Sequence, residues 1–133
     1  MKNVRLLLLL VFLLPWSLPA APVPYAGKVA INGLNFQGDA QFTFALRDAN
    51  GTVHWRNGAD ANSSVTLNVD RGLYVCLLGG HTMNDFPPNL FLQHPELFLQ
   101  VRFFRVDTGE WLHLQPDQLI TSAPHALAAE VAR

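Results

Sequence analysis

The side chains able to do chemistry here are few, and their spacings do not match those that known chemistries need. The five histidines, His54, His81, His94, His113 and His125, form no HxH, HxxxH or HExxH pair. A metal would therefore need ligands brought together from distant strands, and exposed or capping histidines are the simpler reading. Asp48, Asn50, Asp60 and Asn62 place four oxygen-bearing side chains on two loops, the ligand type that calcium takes. Neither loop has the EF-hand or nonapeptide spacing. Side chains of this kind that bond their own turns account for the same residues. No metal and no cofactor is expected.

Enzymatic chemistry fares no better. A serine nucleophile on a sharp elbow needs G-x-S-x-G, which is absent, and Ser63-Ser64 sits in a polar turn. Glycoside hydrolysis needs two carboxyl groups at a set separation, and nothing in the sequence singles out a pair. Gly79-Gly80 lacks the lysine and the helix of a phosphate cradle. The expectation is a protein that is not an enzyme, with no catalytic residue. Trp55 and Trp111 are the candidate ligand-stacking residues, since tryptophan on a sheet face grips sugar rings; packing in the core or at an edge is the alternative. Asn50-Gly51-Thr52 and Asn62-Ser63-Ser64 match glycosylation sequons, which matter only in a host that uses them. Cys76 is the only cysteine, so no intrachain disulfide forms. In its apolar run it is expected to act as a small buried hydrophobe, with an intermolecular disulfide as the alternative.

The elements that must position these residues are strands. Gln41 to Asp48 alternates, with Phe42, Phe44 and Leu46 on one face. Asn50-Gly51 follows as a hairpin signal, and Thr52 to Arg56 returns antiparallel. Ser63 to Val69 alternates again, with Val65, Leu67 and Val69 inward, and Asp70-Arg71-Gly72 turns the chain into Leu73 to Leu78. Leu97 to Val106 and Glu110 to Leu114 flank the turn Asp107-Thr108-Gly109. Earlier, Val29 to Phe36 reads as a strand with Val29, Ile31, Leu34 and Phe36 inward, interrupted at Asn32-Gly33 by a bulge or tight turn. From His81 to Pro95 the pattern breaks at Pro87, Pro88 and Pro95, which discourages a central strand, and Asn89 to Gln93 suits one helical turn. Ser122 as cap, Pro124 in the first turn and an alanine-rich remainder predict a short helix over 123–133, too short to persist alone in water.

The first twenty residues read as a secretory leader: basic Lys2 and Arg5, the apolar run Leu6 to Leu14, then a small-residue exit. The run is shorter than the roughly 20 residues a transmembrane helix needs, and no later stretch is longer. Cleavage is expected after Ala20, because cutting after Ala21 would place Pro22 behind the scissile bond. Loss of Lys2 and Arg5 leaves seven basic residues against ten acids, without the basic patch that nucleic-acid binding requires. About 113 residues remain, enough for one domain.

Seven or so strands with frequent turns predict an all-β fold, an antiparallel β-sandwich over 21–122, with a small β-barrel as the alternative. Several segments also resemble a known family. The hairpin Phe44-Ala45-Leu46-Arg47-Asp48-Ala49-Asn50-Gly51, the strand Gly72 to Gly79, Leu97-Phe98-Leu99-Gln100-Val101 and the closing run Ile120-Thr121-Ser122-Ala123-Pro124-His125-Ala126-Leu127 are similar to the N-terminal β-domain of secreted bacterial tail-fibre-like and collagen-like surface proteins. His125 stands where that family has tyrosine and Ala123 where it has valine, and no shaft follows. The resemblance implies a shaft-less module of a cell-surface assembly.

Together these readings give a secreted, non-enzymatic module that acts by protein–protein contact, with protein partners or further copies of itself at the cell surface. Its candidate docking residues are Pro22 and Tyr25 on a proline-rich arm, which could add a strand to a neighbour's sheet, and Pro124, His125 and Leu127 on the terminal helix. The alternative is a carbohydrate-binding module with a polysaccharide partner, using Trp55 or Trp111. The third reading is a hydrolase whose site no motif marks.

Overall fold

Successive side chains of a strand point to opposite faces, so a strand with one apolar set must find a second layer to cover it. The computed structural model describes residues 20–120 and meets that demand with nine strands and one helical turn. In chain order these are β1 (Val23–Lys28), β2 (Ala30–Ile31), β3 (Leu34–Asn35), β4 (Gly38–Arg47), β5 (Val53–Arg56), β6 (Val65–Val69), β7 (Leu73–Leu78), α1 (Leu90–Gln93), β8 (Leu97–Arg105) and β9 (Glu110–Ile120).

Strand β4 is the axis. One of its edges pairs antiparallel with β8, placing Phe42 opposite Phe103, Phe44 opposite Val101 and Leu46 opposite Leu99. Its other edge is shared: Gly38 to Phe42 pair with β6, and Ala45 to Arg47 with β5. Phe44 falls in the gap between those two partners. There the side chain of Asn57 replaces a strand, its Oδ1 accepting the Phe44 N–H at 2.8 Å while its Nδ2 donates to the Ser63 carbonyl at 2.9 Å. β9 completes the five-stranded sheet outside β8.

The second layer is β1 antiparallel to β7, with Tyr25 opposite Cys76. The layers meet where the ring of Phe42 lies 4.5 Å from that of Tyr74. The inward sets, Ala40, Phe42, Phe44 and Leu46 from β4, Leu97, Leu99, Val101 and Phe103 from β8, and Tyr74 and Leu78 from β7, are all buried. Each large member stabilises the fold by roughly 1.5–3 kcal/mol before chain entropy is counted. The hairpin β2–β3 covers one end, where Phe36 meets Phe103 edge-on at 5.0 Å. The loop after β7 covers the other with Met83, Phe86 and Leu90. The sheets do not close into a barrel, so the architecture is all-β and sandwich-like. No helix among the described residues is long and apolar enough to cross a membrane.

Turn chemistry places the strands largely as the sequence suggests. Asn32 and Gly33 both take positive φ, making the tight turn between β2 and β3. Arg71 and Gly72 do the same between β6 and β7, and the strained Arg71 is held by its N–H donating to Gln37 Oε1 at 2.8 Å. After β4, only Gly51 takes a positive φ, and the hairpin carries a register shift at Leu46/Arg47 in place of a two-residue turn.

Several expectations need correction. Val29 to Phe36 is two short strands, and Leu34 lies outside the core with 75% of its surface exposed, because the tight turn swings it past the end of the sandwich. Val65 and Leu67 are only half-buried. β9 continues past Leu114 to Ile120, with Pro116, joined to Gln115 by a cis peptide bond, on an outer edge where no ladder donor is required. The proline-rich arm is a strand of this chain's own second layer from Val23 onward. The leader and the helix expected over 123–133 lie outside the described residues, as do the candidate docking residues Pro124, His125 and Leu127.

Candidate functional site

A period of two gives β7 two different faces. Tyr74, Cys76 and Leu78 turn inward, which forces Leu73, Val75 and Leu77 onto the outer surface. These three are 58%, 73% and 44% exposed. Across the ladder stand Lys28, Ala26 and Pro24 of β1, so the outer face of this layer is apolar apart from one lysine at its end. Among the described residues nothing covers it. Contiguous apolar surface of this kind marks an interaction site far more often than isolated exposed residues do.

The adjoining features are open as well. On the β1 side a cleft of about 380 Å³ enters between the layers, lined by Tyr25, Leu73, Tyr74, Leu114 and Pro116. Gly27 is required there, since a Cβ at this position would lie 2.3 Å from the Tyr74 hydroxyl oxygen. Burial raises the hydroxyls of Tyr25 and Tyr74 above the ordinary tyrosine pKa; the contact between the two phenols adds to the rise at Tyr74 and offsets part of it at Tyr25. Burial also pushes the Cys76 thiol up to about 11, so it stays protonated and unreactive at neutral pH. At the hairpin end, exposed Leu34 and Val106 flank a groove of about 630 Å³.

Pro22 is exposed, and Tyr25 is half-buried with its ring 6.1 Å from that of Tyr74. Pro24 lies within β1, an edge strand, and proline on an edge blunts strand addition. Donation of this arm to a neighbour would first require it to leave β7.

The two tryptophans separate. Trp55 is buried, edge-on to Phe86 at 4.9 Å, and its indole N–H donates to the Asn84 carbonyl at 3.0 Å. It anchors the loop after β7 and presents no free ring. Trp111 is half-buried on the outer face of the large sheet, with the Phe104 ring 5.0 Å away and the Arg102 guanidinium 5.1 Å from its centroid. A sugar would have to displace that guanidinium to stack on the same face.

Of the histidines, His54 and His94 come together as a parallel stack 3.7 Å apart, and His54 Nε2 lies 2.9 Å from Asp48 Oδ2. Stacked rings do not converge their nitrogens on one point, and no group of three or more metal-binding side chains occurs among the described residues. Asp48 Oδ1 accepts the N–H groups of Asn50 and Thr52. The His54 bond first, and then the Thr52 N–H, hold the Asp48 carboxyl below its ordinary pKa. Asp60 likewise accepts the Asn62 N–H and the Ser63 hydroxyl. Both acids spend their oxygens on their own turns.

Compared with known proteins, the chain matches no family model, no curated protein and no solved structure. The apolar face is the feature that sequence reasoning missed. Its signal is present in Leu73-Tyr74-Val75-Cys76-Leu77-Leu78, but a strand apolar at every position does not say which of its faces is covered.

Proposed function

We propose that this protein is a secreted, non-enzymatic β-sandwich module that works by protein–protein contact in a cell-surface or extracellular assembly. The reading is supported above all by the exposed row of Leu73, Val75 and Leu77. Three large apolar side chains on one strand cost solubility and carry no load in the core, so their surface is accounted for if a partner covers it. Secretion rests on the leader formed by Lys2, Arg5 and Leu6 to Leu14. The resemblance to tail-fibre-like surface proteins points to the same setting. Docking is assigned to the outer face of β1 and β7 in preference to the edge of β1, because Pro24 blunts that edge.

The test is Val75→Asp combined with Leu77→Ser in the full chain, followed by light scattering over a range of concentrations and by fractionation of the producing cells. Loss of self-association or of surface retention, with unchanged far-ultraviolet circular dichroism, is expected. A wild-type protein that stays monomeric throughout, and whose surface retention the double variant leaves intact, would refute the proposal.

A further inference from the structure

The opposite outer face, on the five-stranded sheet, carries a second feature of different chemistry. Across that face Ala45 of β4 stands between Arg56 of β5 and Gln100 of β8. In the neighbouring row Thr43 is followed by Arg102 and then by His113 of β9. A methyl group in the middle of a row of long side chains leaves a depression, and the result is a pit of about 130 Å³ lined by Thr43, Ala45, Arg56, Gln100, Arg102 and His113.

The walls of this pit have an unusual balance for a chain with a formal net charge of −1. Two guanidinium groups, an imidazole, an amide and a hydroxyl line it, and no carboxylate does. Among the described residues, neither Arg56 nor Arg102 makes a close salt bridge, although the Asp60 carboxyl, lowered mainly by the Asn62 N–H and the Ser63 hydroxyl, also feels the Arg56 charge. Arg47, on the same face, is neutralised by Asp117 at 2.8 Å. Asp117 also holds His113 Nε2 at 2.6 Å, fixing that ring beside the pit.

Arg102 is fixed as well. Its Nε donates to Thr43 Oγ1 at 3.2 Å, and its Nη2 reaches Asn62 Oδ1 at 3.3 Å and the Ala61 carbonyl. A guanidinium held in place loses less freedom when it binds; with Nε and Nη2 of Arg102 already engaged, its Nη1 is the group left for an oxygen. The fork of Arg56, which makes no hydrogen bond among the described residues, matches two oxygens of a carboxylate or phosphate. The volume falls well short of the roughly 300 Å³ at which drug-sized sites begin, so it suits a single small group.

We infer that Arg56, Arg102, His113 and Gln100 around Ala45 form a binding site for one oxyanion: a phosphate, a sulfate or the carboxylate of an acidic sugar. The site is independent of the apolar contact face, which lies on the other layer.

Titration of the isotope-labelled full chain with sodium phosphate, sodium sulfate or sodium galacturonate, at ionic strength held constant with sodium chloride, tests it by amide shifts. The expected result is saturable movement at Thr43, Ala45 and Gln100 with at least one of the three, and the tightest of them names the anion. Arg56→Gln should raise the dissociation constant at least tenfold. Ala45→Leu, which fills the pit and removes no charge, should abolish saturation, and Arg71→Gln, in an exposed turn elsewhere, should change nothing. Amide dispersion in each spectrum verifies folding. Movement that does not saturate with any of the three anions, or that persists in both Arg56→Gln and Ala45→Leu, would overturn the assignment.

Discussion

Asn57 bridges a break in the edge of the large sheet with its side chain alone. It serves the Phe44 N–H at the point where β4 exchanges β6 for β5, and it is 95% buried, being 5% exposed. Asn57→Ala leaves that donor unpaired away from water, and a loss of roughly 1–3 kcal/mol is expected in urea unfolding. Asn57→Asp keeps the acceptor but loses the donor to the Ser63 carbonyl and buries a charge, so it should cost at least as much. Asp48 gives a pH dependence. Its carboxyl is held below the ordinary value by His54 and the Thr52 N–H, so its contribution to stability is complete above the unfolded-state pKa, near 3.9. That contribution disappears as pH falls through the lower folded-state value. The Thr52 amide shift should therefore titrate with a midpoint below 3.9, and Asp48→Asn should remove the transition. A midpoint at or above 3.9 would contradict the hydrogen-bonded turn. Cys76, with its thiol pushed up to about 11, should react slowly with a disulfide reagent at pH 8 in the native protein and fully in urea.

At the level of elements, the sheet was legible where polar and apolar side chains alternate. β4 and β8 show their inward faces directly in Phe42, Phe44 and Leu46 and in Leu99, Val101 and Phe103, and the Asp70-Arg71-Gly72 and Asp107-Thr108-Gly109 turns mark their strands' ends. β1 was not legible, because Pro24, Ala26 and Gly27 carry none of the usual strand preferences. It becomes a strand through pairing with β7 and through the fit of Tyr74 over Gly27. Gly27→Ala should accordingly displace the Tyr74 ring and destabilise the protein by about 1–3 kcal/mol, read as a lower urea midpoint. Unchanged stability would mean that the second layer does not depend on this contact. The anion pit was illegible for another reason: Arg56, Arg102 and His113 come from three strands, and only register makes them neighbours. Asn57 looked like one more polar loop residue for the same cause, since its partner Phe44 is 13 positions away.

For the whole molecule, the two outer faces differ in kind. One is the apolar surface of Leu73, Val75 and Leu77, and the other is mixed, with Arg56 and Arg102 around a pit beside the rings of Phe104 and Trp111. A contact module with this division would meet its protein partner through the thin β1–β7 layer and leave the large sheet facing outward. Both tryptophans are already engaged, Trp55 by Phe86 and Asn84 and Trp111 by Phe104 and Arg102, which lends less support to a sugar-stacking role. Position-specific photo-crosslinking in the producing cells tests the contact most directly. A benzophenone side chain placed at Val75, on the apolar face, should give a discrete protein adduct, while the same group at Thr66, exposed on the other layer, should not. Equal labelling at the two positions, or none at Val75, would contradict the account.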